Sequence, residues 1–182
     1  TPNLSTWRPC DGVETAFAWK AAVSSGDKPT ALVLSRQTTH LQSRNEKIFS
    51  EISKGAYILN EPENDLQGII MATGSEVSLA MQAADLLNRE GFAVRVVSMP
   101  CVDIFLEQDS SYREYVLPSE IRVRLAVEAA HPDYWRKFVG LEGAVIGVDT
   151  YGKSAPGSTV LEVFGLNEEN VVSTMRNMLQ AR

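Results

Sequence analysis

Histidine and cysteine are scarce in this sequence, two of each in 182 residues, and that scarcity sets several chemistries aside. Cys10 and Cys101 stand far apart, with no CxxC pair and no neighbouring histidines, so neither a zinc site nor a disulfide framework is indicated. Both thiols are expected to be reduced. An excess of positive charge is missing as well: 17 Lys and Arg face 23 Asp and Glu, for a formal charge of −6. That argues against the extended basic surface that non-specific nucleic-acid binding needs. A small anion is still an admissible ligand, since one local arginine suffices. No apolar run approaches the roughly 18 residues of a membrane span, and no charged-then-apolar leader opens the chain. The expectation is a cytoplasmic protein with no nucleic-acid or membrane partner. With 44% hydrophobic residues and only 8 prolines, the composition is that of a soluble globular protein of one domain or slightly more. The first residue is Thr1 rather than methionine, and the chain reads as a piece of something longer.

The pattern along the chain predicts its organisation. Val13, Phe17, Ala18, Ala21 and Ala22 recur at helical spacing within Asp11 to Ser24, between Pro9 and a Ser-Ser-Gly-Asp break. Pro29 then opens an apolar stretch, Thr30 to Leu34, that fits a parallel strand covered on both faces. Residues 38–54 lose periodicity and read as a linker with a turn of helix. From Gly55 onward, apolar strands at 56–59, 68–72, 93–98, 122–127 and 143–148 alternate with helical stretches at 75–90, 109–117, 132–139 and 156–164. Such alternation predicts a three-layer α/β/α fold with a mostly parallel sheet of about five strands. Tyr57-Ile58-Leu59 is followed too soon by Gly68-Ile69-Ile70 for a helical crossover, so it is placed as an antiparallel edge strand. An amphipathic helix, Glu168 to Gln180, closes the chain.

Three places could carry chemistry. Arg36 follows a buried strand at its carboxyl end, where open α/β sheets collect ligands, and a guanidinium there can hold a phosphate bidentately. Its plain alternatives are capping of a helix C-terminus or pairing with a carboxylate in the linker. Ala72-Thr73-Gly74-Ser75-Glu76-Val77 is a strand-to-helix turn whose N–H groups could receive an anion. It lacks the G-x-G-x-x-G spacing, and Glu76 already supplies the negative charge that the helix dipole favours; Ser75 as an ordinary N-cap is the competing reading. Glu128 and His131 could form an acid/base pair, against His131 as a surface or capping residue. Trp135, Phe138 and Val139 have the helical spacing of core. There is no nucleophile elbow, P-loop or metal triad.

The residues also carry a family likeness. Thr6-Trp7-Arg8-Pro9-Cys10-Asp11 with Glu14 and Ala18-Trp19-Lys20, then Leu34-Ser35-Arg36-Gln37, resemble the end of the pyrimidine-binding domain of bacterial transketolases. The likeness continues through Ala72 to Val77, Val97 to Asp103, Gln108-Asp109, Tyr112-Arg113-Glu114, Val116-Leu117-Pro118, Asp133-Tyr134-Trp135 with Val139-Gly140, and Tyr151 to Pro156. The resemblance implies a division into the tail of a pyrimidine-binding domain (1–37), a linker (38–54) and a transketolase C-terminal domain (55–182). It implies a cytoplasmic homodimer of the pentose phosphate pathway that uses thiamin diphosphate and Mg or Ca. The whole enzyme would move a two-carbon ketol unit from ketose phosphates to aldose phosphates.

The diphosphate- and metal-holding motif of the family, a glycine-aspartate-glycine with asparagine some way on, is absent from these 182 residues, as is its activating glutamate. The segment alone is therefore expected to be inactive, with no catalytic, cofactor or metal residue of its own and no bound cofactor. Arg36 aligns with the family arginine that binds the substrate's terminal phosphate; Thr38-Thr39-His40 departs from the asparagine-leucine that often follows. His131 stands where relatives commonly have a non-ionisable residue. The domain from Gly55 onward is expected to serve packing and dimer stabilisation. Two further readings stand beside this one: a stand-alone α/β regulatory or anion-binding module, and the related deoxyxylulose phosphate synthase or ketoacid dehydrogenase β-subunit. The R-P-x-D and L-S-R-Q blocks favour transketolase over the last two.

Overall fold

The computed structural model describes residues 2–181. Its first unit is small. Strand β1 (Ser5–Trp7) leads into helix α1 (Gly12–Ser24), whose start is fixed by Asp11 accepting a hydrogen bond from Glu14 N at 3.0 Å. Strand β2 (Thr30–Leu32) returns parallel to β1, in register Trp7↔Leu32. Helix α2 (Glu46–Ile52), capped by Asn45, follows within the segment expected to be a linker.

The second unit is built on β3 (Tyr57–Asn60), β4 (Gly68–Ala72), β5 (Val94–Ser98), β6 (Arg124–Val127) and β7 (Ala144–Ile146). The strand order is β3-β5-β4-β6-β7. Only β3 runs antiparallel, against β5 at one edge, as the short gap between Leu59 and Gly68 predicts. The helices are α3 (Glu76–Arg89), α4 (Val102–Glu107), α5 (Ser110–Val116), α6 (Arg136–Val139), α7 (Gly157–Val163) and α8 (Glu168–Gln180).

Side chains alternate across the sheet because successive strand residues point to opposite faces. Ile70, Ala72, Val94, Val96, Leu125 and Val127 join one core with Ala18 of α1, Leu87 of α3 and Met175 of α8. Ile69, Met71, Val97 and Ala126 join the other with Phe105, Val116 and Phe138 of α4, α5 and α6. The three-layer architecture is therefore the expected one. Trp135, Phe138 and Val139 are core, also as expected.

Some elements differ from the sequence reading. Thr30–Leu34 is not a strand covered on both faces: β2 stops at Leu32, and Val33 and Leu34 are half exposed. It packs chiefly on β1 and α1, and only Leu32 reaches the larger core. β1 and α4 carry no periodicity to read, being three and six residues long. The 132–139 stretch is a 3₁₀ turn (Pro132–Trp135) running into α6; Pro132 opens it at a position where a missing N–H costs nothing.

Candidate functional site

Strands β1 and β2 end side by side, and each is followed by an arginine: Arg8 one residue past Trp7, Arg36 four residues past Leu32. The two have opposite fates. Arg8 reaches across to the second unit, where Nη1 is hydrogen-bonded to Glu128 Oε1 at the end of β6. Its Nη2 lies 3.6 Å from Glu76 Oε2 in the first turn of α3. Both carboxylates are buried. Burial pushes the Glu128 carboxyl above the usual range, and the Arg8 charge and hydrogen bond pull against that shift. Glu76 Oε2 makes no hydrogen bond among the described residues; the Arg8 charge is its counterpart.

Arg36, by contrast, is exposed and has neither a hydrogen bond nor an ion pair among the described residues. Neither plain alternative, a helix C-cap or a carboxylate partner, is realised there. The bend that carries it is held locally: Gln37 N donates to Ser35 Oγ at 3.0 Å, and that hydroxyl donates to Gln37 Oε1 at 2.9 Å. A side-chain oxygen accepting from the backbone two residues on makes a tight turn without a strand ladder. The guanidinium is thus presented to solvent from a closed turn.

The Gly74 turn does not form an anion cradle. Gly74 N already donates to Arg8 O at 3.0 Å, the Arg8 guanidinium lies over the turn, and Glu76 supplies the local charge. An incoming anion would meet an occupied N–H and two carboxylates. Ser75 occupies the N-cap position but makes no capping bond, since its hydroxyl donates to Glu76 Oε1 at 2.6 Å. His131 and Glu128 do not pair: the exposed His131 accepts from Asp133 N at 3.4 Å, the capping role, while Glu128 is taken by Arg8.

Arg8, Thr73, Met99, Glu128, His131 and Trp135 help to line a cavity of about 240 Å³ along the seam of the two units. It lies between β4 and β6, where the chain leaves in opposite directions toward β5 and β7, the place where such sheets collect ligands. Here the charged groups are spent on each other. Thr73 Oγ1 donates to Arg8 O at 3.0 Å, and Arg8 is shared by two carboxylates. The sequence reading missed this clasp; the signal available was a buried glutamate ending β6 and an arginine ending β1, with no means of pairing them at a separation of 120 residues.

A second polar joint was also missed. Glu14 accepts from Cys10 N (2.6 Å), Tyr57 OH (2.7 Å) and Ser98 Oγ (2.6 Å). Buried Arg44 donates to Asp11 Oδ2 (2.6 Å), Tyr57 OH (2.8 Å) and Gln42 O (3.1 Å). These bonds tie α1, the 38–54 segment and the sheet together. Among the described residues no group of three or more His, Cys, Asp or Glu side chains could hold a metal ion.

Comparison with known proteins agrees with the likeness read from the blocks. Residues 55–167 match the transketolase-like TK C-terminal domain, and residues 1–42 match the transketolase pyrimidine binding domain. The chain is 51% identical over 179 residues to transketolase 2 of Vibrio parahaemolyticus, covering 98% of this chain and 27% of that protein. Among solved structures it is similar to transketolase from Leishmania mexicana, with 42% identity, a TM-score of 0.91, and 99% of this chain covered against 26% of the other. It is also similar to transketolase from Pichia stipitis in complex with sedoheptulose-7-phosphate, with 34% identity, a TM-score of 0.89, and 100% of this chain against 26% of the other. The chain thus spans about a quarter of the length of the relatives it matches, and it belongs to the transketolase family.

Proposed function

We propose that this chain is the C-terminal portion of a thiamin diphosphate-dependent transketolase, in which Arg36 grips the terminal phosphate of the sugar substrate. The observation that carries the reading is the contrast between two neighbouring arginines. Arg8 is locked to two carboxylates, whereas Arg36, without a partner among the described residues, stands on a turn beyond the carboxyl end of a parallel pair. An arginine without a protein partner keeps its fork of donors available to an anion. In this reading the whole enzyme is a cytoplasmic homodimer of the pentose phosphate pathway that transfers a two-carbon ketol unit between sugar phosphates. Residues 1–37 end its pyrimidine-binding domain, 38–54 link, and 55–182 form its C-terminal domain. Thiamin diphosphate with Mg or Ca supplies a carbanion for bond cleavage when bound; no step of that chemistry is assigned to residues of this chain, and the chain alone is inactive.

What Arg36 does is bind and orient. A charge-assisted contact contributes about 1.5–3 kcal/mol, or roughly 10- to 150-fold in affinity. In the complete polypeptide carrying this sequence, Arg36→Ala should raise KM for xylulose 5-phosphate, the ligand of a Pichia stipitis relative, by that factor. KM for unphosphorylated hydroxypyruvate should stay unchanged. Equal losses on the two donors would defeat the assignment.

A further inference from the structure

The turn that carries Arg36 meets the second unit at Gly157, the first residue of α7. Gln37 lays its side chain against the Gly157 α-carbon: a β-carbon there would come within 2.6 Å of Gln37 Nε2, 3.3 Å of Cγ and 3.4 Å of Cδ. The Gly157 backbone does not lie in the left-handed region, so its conformation does not call for glycine. Gln37 occupies the space a β-carbon would take, so a side chain at 157 would push the Gln37 amide aside. From the other side Gln37 is held by Ser35, through its own N–H and its Oε1. Arg36 therefore sits between two residues locked to one another, and that lock rests on a helix 120 residues further along the chain.

We propose that Gly157 and Gln37 are positioning residues that aim Arg36, which makes the C-terminal unit a contributor to substrate-phosphate binding. The inference rests on the reading of Arg36 as the phosphate anchor. An arginine on a loose turn must be ordered when the substrate arrives, and holding one such side chain costs about 0.5–1.5 kcal/mol. A turn already seated on α7 avoids that loss. α7 is suited to act as a seat, since none of its residues is fully buried and Leu161 anchors it to the core.

The test is a pair of kinetic series in the complete polypeptide, with xylulose 5-phosphate and hydroxypyruvate as donors. Gly157→Leu should raise KM for the phosphorylated donor roughly 2- to 12-fold, leaving kcat and the hydroxypyruvate KM unchanged. Gly157→Ala should do the same to a smaller extent, with less risk to folding. Gln37→Ala should reproduce the effect, and Gln37→Ala combined with Gly157→Leu should add little to either alone, because both act through one contact. If Arg36→Ala separates the donors and the Gly157 variants do not, the positioning role is overturned and the anchor stands. If Arg36→Ala fails to separate them, the anchor itself is wrong. Hydrogen exchange on the complete polypeptide checks the contact without activity: Gly157→Leu should speed exchange of the Gln37 amide, and an unchanged rate overturns the proposal.

Discussion

At the scale of single residues, carboxylates in similar burial behave differently because of what faces them. Burial acts to raise the Asp11 carboxyl, but hydrogen bonds from Arg44 and from the Gln42 and Glu14 amides, with the Arg44 charge, hold it below its ordinary value of 3.8. A depressed carboxyl gives stability that is complete above its unfolded value and lost as pH falls through its folded value. Urea midpoints measured from pH 6 down to pH 2.5 should therefore fall less steeply in Asp11→Asn than in the parent; parallel slopes would contradict the pairing. Arg44 is the hub of that network, and Arg44→Met would strand Asp11 and Glu14. Removing one partner of a buried pair costs about 3–5 kcal/mol, a loss that the same denaturation experiment would read. Both thiols are shielded: burial pushes Cys101 up to about 11, and burial with the Glu14 and Asp11 charges pushes Cys10 higher. At pH 8 neither should react with a chromogenic disulfide reagent until the chain unfolds, and fast labelling of the native chain would refute this.

At the scale of elements, what could be read in the sequence follows length and periodicity. α8 was readable to its ends because Val171, Val172 and Met175 face the sheet at helical spacing and Asn167 caps the start. The all-buried β4 announces itself as an apolar run, and β5 by its valines at 94, 96 and 97 in spite of Arg95. β1 could not be read, since its partner β2 lies 25 residues further along and pairing across distance leaves no local mark. The same limit hid the Arg8 clasp and the Gln37 seat, whereas Arg36 stood out by its place beyond the apolar run Thr30–Leu34, and the family block then supplied its proposed role. Gly55 marks a junction that spacing alone does not reveal: it has φ 85°, and a β-carbon there would lie 2.2 Å from Cys101 O. Gly55→Ala meets backbone rather than a flexible side chain. A loss of about 1–3 kcal/mol is expected, measured by thermal unfolding, and a neutral substitution would show that the turn can relax.

At the scale of the whole molecule, the two units differ in how much each buries. The second has both sheet faces covered; the first leaves Trp19, Val23, Val33 and Leu34 half exposed or more and is held by the Arg8 clasp and the Glu14–Arg44 joint. Opening energies span from near zero to the global value according to such differences. Amides of β4 and β5 should exchange slowest, and those of β2 faster by about two orders of magnitude or more; uniform protection would mean that the units open together.

The rims of the sheet carry a last consequence. β3 is interrupted by a register shift between Ile58 and Asn60, and β7 has only three residues, with Gly143 and Gly147 on either side. Such a blunted border offers a stranger's backbone almost nothing to extend. Crowded copies of this chain should cling through the oily flank around Trp19 and Val23, giving clumps that dissolve on dilution instead of fibrils.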